Sequence, residues 1–189
     1  FLADIEIADY HIIGHGCGAA IAAEMVLLQP SKVKSLVMLN AFIGFEPEVN
    51  CVKYQQWLDV MNQTKIITEE LANTISTLMF AKGISDHNLV NQFSQQLIKI
   101  DSQQVPMLSR FAHMAIYKRD TMELVEQFTL PTLVIIGVEN QLRTVLESYL
   151  MSDDIDGASL HHLAGAGHLA MVEQPTQINT LLENFYQQQ

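Results

Sequence analysis

The sequence predicts an α/β fold, an open parallel sheet with helices on its faces and one all-helical insertion. Three features of the 189-residue chain lead there. Short apolar runs recur at residues 10–13, 33–39 and 130–137, as in strands covered on both faces. Segments of helical periodicity separate these runs. Between residues 45 and 120 no strand pattern occurs at all.

Taken in order, residues 1–7 read as the end of an amphipathic helix. Tyr10-His11-Ile12-Ile13 is a buried strand that stops at a Gly-rich turn. An Ala-rich helix follows from about Ala19 and ends near Pro30. The strand over 33–39 comes after a four-residue link, 29–32, which suggests a right-handed βαβ crossover. The insertion carries helices over 52–62, 68–80, 87–99 and 104–117. Thr68-Glu69-Glu70-Leu71 and Ser85-Asp86 mark two of their starts, because short polar side chains satisfy free backbone N–H groups. The α/β rhythm returns with a strand over 130–137, a helix over 142–151 and a strand over 159–163. The loop Ala164-Gly165-Ala166-Gly167-His168 and a last helix over 174–187 complete the chain. The expected organisation is a core of 1–44 and 120–189, with a helical lid over 45–119.

Composition narrows the function. With 49% hydrophobic and 16% charged residues, the chain has the make-up of a folded globular protein. No apolar run approaches the roughly 20 residues of a membrane-spanning helix. The 10 basic residues are outnumbered by 21 acidic ones, and a net charge of −11 argues against a nucleic-acid partner. The acidic surface reads as a solubility feature. Cys17 and Cys51 have neither zinc nor redox spacing, so no metal or cofactor is expected. Two isolated cysteines suggest a reducing compartment, most simply the cytoplasm. The expected partner is a small-molecule ligand or substrate. Nothing in the sequence specifies an oligomeric state.

The chemistry-bearing pattern is Gly14-His15-Gly16-Cys17-Gly18, between a strand and a helix. So sharp a turn calls for small residues two before and two after its apex, which is the logic of the G-x-S-x-G nucleophile elbow. Here the apex is Gly16, with no side chain to attack.

On this turn the chain resembles the α/β-hydrolase superfamily, most of all small bacterial esterases and carbon–carbon hydrolases. Residues 11–19 look like their elbow, and Pro131-Thr132-Leu133-Val134-Ile135-Ile136-Gly137 like the strand before their acid loop. Gly165-Ala166-Gly167-His168-Leu169-Ala170-Met171-Val172-Glu173-Gln174-Pro175 looks like their catalytic-histidine loop and is the most specific match. The resemblance covers nearly the whole chain. It implies an α/β-hydrolase fold with a lid, and that the strands and His-Gly loop which precede the elbow are missing here.

The resemblance places the general base at His168, the nucleophile at Gly16 and the acid at Asn140. Some members carry the acid instead after the preceding strand, at Asn40-Ala41. Neither place holds a carboxylate, although Glu139 and Glu46 lie close by in sequence. Cys17 falls where a backbone N–H helps form an oxyanion hole. It is a poor nucleophile candidate, since the turn would then be flanked by the bulky His15. His15, Trp57 and Met114 are expected at the pocket, and Met61, Phe80, Phe111 and Tyr117 share the helical spacing of the lid.

Such a triad is degenerate. Changing the acid to its amide costs serine proteases about 10⁴ in kcat, and losing the serine costs about 10⁶ in subtilisin. The leading expectation is an impaired hydrolase, or a pseudo-hydrolase that binds a small apolar molecule or a partner. The alternative is an active enzyme on a small ester, lactone or amide-like substrate, with His168 as base and no serine, in the manner of aminoacrylate hydrolases. A plain structural protein has nothing positive in its favour. N-myc-downstream-regulated proteins also look Gly-bearing at the apex, and the histidine loop is the feature that sets this chain apart from them.

Overall fold

The computed structural model describes residues 6–189. Four strands, β1 (Tyr10–His15), β2 (Val33–Leu39), β3 (Thr132–Gly137) and β4 (Ser159–Leu163), form one sheet in the order β1-β2-β3-β4. Every neighbouring pair is parallel. The sheet is covered on both faces, which explains the unbroken apolar runs. On one face lies α1 (Cys17–Leu28), whose Ala19, Ala22 and Ala23 are fully buried, together with α6 (Val145–Asp154). On the other face α7 (Ala170–Glu173) and α8 (Pro175–Gln187) pack over Val37, Leu133 and Ile135. This is the α/β-hydrolase fold.

The insertion between β2 and β3 consists of α2 (Glu48–Thr64), α3 (Glu69–Met79), α4 (His87–Ile98) and α5 (Val105–Ile116). Helix α2 packs on α5, and α3 on α4. It has its own apolar core around Leu58, Met61, Ile67, Leu71, Ala72 and Val105. Among the described residues no helix is long and apolar enough to cross a membrane.

Most elements fall where periodicity puts them, and the differences have local causes. Helix α2 starts earlier than expected, at Glu48, behind Pro47, which has no N–H to leave unsatisfied. Helix α6 starts later, at Val145, because Thr144 and Glu147 form a reciprocal capping box. The short α7 and a 3₁₀ turn at Met122–Gln127 were not expected, being too brief to show a period. Thr68 and Asp86 do cap α3 and α4. The helix expected over residues 1–7 lies outside the described residues but for Glu6 and Ile7, and neither of those is helical.

Candidate functional site

The turn from β1 into α1 is as tight as its glycines suggest, though not for both flanks. A Cβ on Gly14 would lie 2.4 Å from the Ala19 Cα, so this position admits no side chain. At Gly18 a Cβ would meet nothing within 4 Å, so the expected crowding after the apex is absent. The apex Gly16 has φ +54°. Its missing Cβ would stand 3.2 Å from Nε2 of His168, which puts the nucleophile and base positions face to face.

His168 is 8% exposed and is held by its loop rather than by chance packing. Its carbonyl accepts hydrogen bonds from His15 Nε2 at 2.8 Å and Asn40 Nδ2 at 2.8 Å. Glu173 fixes the loop further, accepting from the N–H of Gly167 and of Ala81 at 2.8 Å each. That carboxylate ties the histidine loop to the end of α3, a role the sequence reading missed because the partners are 6 and 92 residues away.

Of the two places considered for the acid, Asn140 is the one beside the ring. Its Nδ2 lies 3.4 Å from Nδ1 of His168. The orientation of this amide is fixed, because its Oδ1 accepts from the N–H of Leu142 at 2.9 Å and of Arg143 at 3.2 Å. Asn40, buried at φ +49°, does structural work instead. Its Nδ2 donates to Gly167 and His168 carbonyls, and its Oδ1 accepts from the Gly137 N–H and from Asn140 Nδ2. Each amide is thereby oriented by backbone groups that can only donate or only accept. Asn140 must donate to His168, so Nδ1 accepts and the ring proton sits on Nε2, facing Gly16.

The electrostatics agree with a neutral ring. Burial, then the neighbouring charges of His15 and Arg143, lower the His168 pKa from 6.5 to about 3. Neither Glu139 nor Glu46 approaches it among the described residues. Glu46 is engaged by Arg143 and by Asn50, and Glu139 makes only backbone contacts to Ala166 and Lys82. Burial also raises the Cys17 thiol above its ordinary pKa, against its own N–H and Lys118, so it is no activated thiolate.

A cavity of about 410 Å³ opens from this point into the insertion. Gly16, Cys17 and His168 form its floor, and Trp57, Met61 and Leu97 are among its apolar walls. Trp57 and Met61 stand where the helical spacing put them. Met114 does not: it is 51% exposed on the outer side of α5, since α5 turns Ala112, Ala115 and Ile116 inward instead. Phe111 and Tyr117 are likewise outside, and Phe80 is core. His15 packs behind the ring, 4.6 Å centroid to centroid, and does not line the cavity. Lys118 and Arg143 also line the cavity and were not expected there, because they come from separate segments; Glu46, weighed only as a carboxylate near the acid position, lines it too.

Residues 2–189 match the Ndr family. The chain belongs to the Ndr family. An Ndr-family chain can therefore carry both the glycine apex and a histidine loop, and the separation drawn from N-myc-downstream-regulated proteins does not stand. No curated protein matches this Ndr-family chain. Among solved structures it is similar to a hydrolase from Pseudomonas aeruginosa PA01, at 21% identity and TM-score 0.81, covering 98% of this chain and 67% of that one. A thermophilic esterase from Thermogutta terrifontis aligns at 13% identity and TM-score 0.85, covering 99% and 68%. MGS-M2, an α/β hydrolase enzyme from a Medee basin deep-sea metagenome library, aligns at 21% identity and TM-score 0.83, covering 100% and 68%. The chain thus spans about two thirds of each. These likenesses establish a shared fold.

Proposed function

We propose that this Ndr-family chain is a pseudo-hydrolase, in which the site of a degenerate triad (Gly16, Asn140, His168) binds a small molecule without turning it over. Residues 1–44 and 120–189 serve as the core, and residues 45–119 as a lid over the cavity. One observation carries the reading: the Asn140 amide nitrogen, its oxygen held by two backbone N–H groups, faces Nδ1 of His168, and a donor there calls for the ring proton on Nε2. A general base needs a lone pair facing the substrate, and here an N–H faces it. Opposite that N–H, Gly16 offers no hydroxyl.

The other reading has His168 acting as base on water or on a small ester, lactone or amide-like substrate. The intact histidine loop favours it, and the tautomer set by Asn140 opposes it. A pKa near 3 also makes the ring a weak proton acceptor. The free thiols of Cys17 and Cys51 support a reducing compartment, the cytoplasm.

The test is hydrolysis of a short-acyl ester and lactone panel by the purified protein and by His168→Ala. Equal background rates are expected from both. Turnover that disappears in His168→Ala would establish a histidine-driven enzyme instead.

A further inference from the structure

We propose that the occupant of this cavity is a single-chain amphiphile with a carboxylate head. The carboxylate sits over Gly16, accepting from Nε2–H of His168 and the N–H of Cys17 beside Lys118, and the alkyl chain runs between the helices of the insertion. The proposal rests on the binding reading above and names the ligand class.

Two ends of the cavity have opposite chemistry. Toward the insertion the walls are hydrocarbon and aromatic, from Trp57, Leu58, Met61, Ile75, Leu97 and Ile116. A wall of this kind accepts an alkyl chain and leaves buried polar groups unpaired. At the floor the groups are donors. Nε2 of His168 has no hydrogen-bond partner among the described residues, although the side chain is nine-tenths buried. Cys17 opens the 12-residue helix α1, where the first N–H groups have no acceptor within the helix. Among the described residues Nε2 of His168 lacks an acceptor that the protein itself supplies, and the Cys17 N–H has only its own thiol sulfur.

The charge at the floor selects an anion over a neutral acceptor. Lys118 lines the cavity and forms no ion pair among the described residues. Glu46, the carboxylate in the cavity wall, is matched by Arg143 and Asn50. The outside charge acting on Cys17 is that of Lys118, and those acting on His168 are His15 and Arg143. No carboxylate acts on either. Glu46 and Glu147, both paired with Arg143, also act on Lys118, but among the described residues its ammonium has no direct partner of its own; a carboxylate head supplies one, and a cationic head is repelled.

Trp57 is the single tryptophan and lines the cavity, so its fluorescence reports occupancy directly. The protein is titrated with decanoate, decanol and decyltrimethylammonium below their micellar concentrations. Decanoate is expected to saturate the signal and to bind about tenfold more tightly than decanol, with Lys118→Met removing that difference. Retained decanol binding also shows that the variant pocket is intact. Equal affinity for decanoate and decanol, or a preference that survives Lys118→Met, would overturn the carboxylate assignment and leave the pocket reading standing. Tighter binding of the cationic amphiphile would overturn it as well. If none of the three binds, the pocket reading itself fails.

Discussion

Asn140 turns its amide nitrogen toward His168, with Nδ2 3.4 Å from Nδ1, and keeps its oxygen for the N–H groups of Leu142 and Arg143. An aspartate in the same place would accept from Nδ1–H and leave a lone pair on Nε2. The substitution of one atom therefore reverses the direction of the hydrogen bond and the chemistry of the ring face that meets Gly16.

The first expected outcome concerns Asn140→Asp. A carboxylate oxygen at Nδ1 recruits the proton to that nitrogen and raises the pKa of His168. The same oxygen faces Oδ1 of Asn40, which now receives a hydrogen bond from Asn140 at 3.3 Å and cannot rotate. Stability should fall by about 1–3 kcal/mol through this unmatched pair of acceptors. The ¹⁵N shifts of the His168 ring report the tautomer, and thermal denaturation reports the cost. A ring that is already Nδ1–H in the unsubstituted protein would refute the assignment.

Restoring the nucleophile alone should achieve nothing. In Gly16→Ser the new Cβ stands 3.2 Å from Nε2, close enough for its hydroxyl to meet the ring. Nε2 carries a proton, however, and cannot take another. Ester hydrolysis by Gly16→Ser should stay at background, while Gly16→Ser combined with Asn140→Asp should show measurable turnover or an acyl-enzyme burst. Activity in the single variant equal to the double would mean that Asn140 does not control the tautomer.

Much of this site was legible in the sequence, and the limits have physical causes. The elbow and the histidine loop are local: glycines at fixed offsets encode a turn, and three residues of the site lie inside those two turns. Asn140 was legible because it follows a strand-terminal glycine at a fixed spacing. The choice between Asn40 and Asn140 was not, since it depends on which side chain reaches a ring 28 residues or 128 residues along the chain. The insertion was readable as four helices from their periodicity. Which face of α5 turns inward was not: Met107, Phe111 and Met114 are spaced as a buried stripe and are nonetheless exposed. Periodicity identifies an apolar face without saying what it packs against.

Acid should destabilise the fold through His168. Its folded pKa, about 3, lies below the value of about 6.5 for an unfolded histidine. In that window the unfolded state binds the extra proton, so stability rises with pH and falls as pH drops from about 6.5 toward 3. Burial lowers His15 as well, despite its bond to the His168 carbonyl, and this adds in the same direction. The slope attributable to His168 approaches roughly 1.4 kcal/mol per pH unit in mid-window. Denaturant unfolding at pH 7, 6 and 5 measures it, and His168→Gln should flatten the curve. Parallel curves for the two proteins would mean that the ring is not held neutral.

The strongest structural prediction falls on Asn40, whose side chain is fully buried at φ +49° and joins the loops after three strands. Replacing it by Ala orphans the Gly137 N–H and the Gly167 carbonyl, leaves the His168 carbonyl only its bond from His15, and keeps the left-handed backbone, at a cost of about 2–4 kcal/mol. Asn40→Gly should be milder by about 1 kcal/mol, since glycine adopts positive φ without strain. Asn40→Asp preserves shape and should be the worst of the three: its second oxygen would face the carbonyls of Gly167 and His168, which now accept at 3.0 and 2.8 Å. Urea unfolding with an unchanged m-value ranks them. If Asn40→Asp instead matched the unsubstituted protein, position 40 would tolerate a carboxylate, and the acid place after β2 would be open after all.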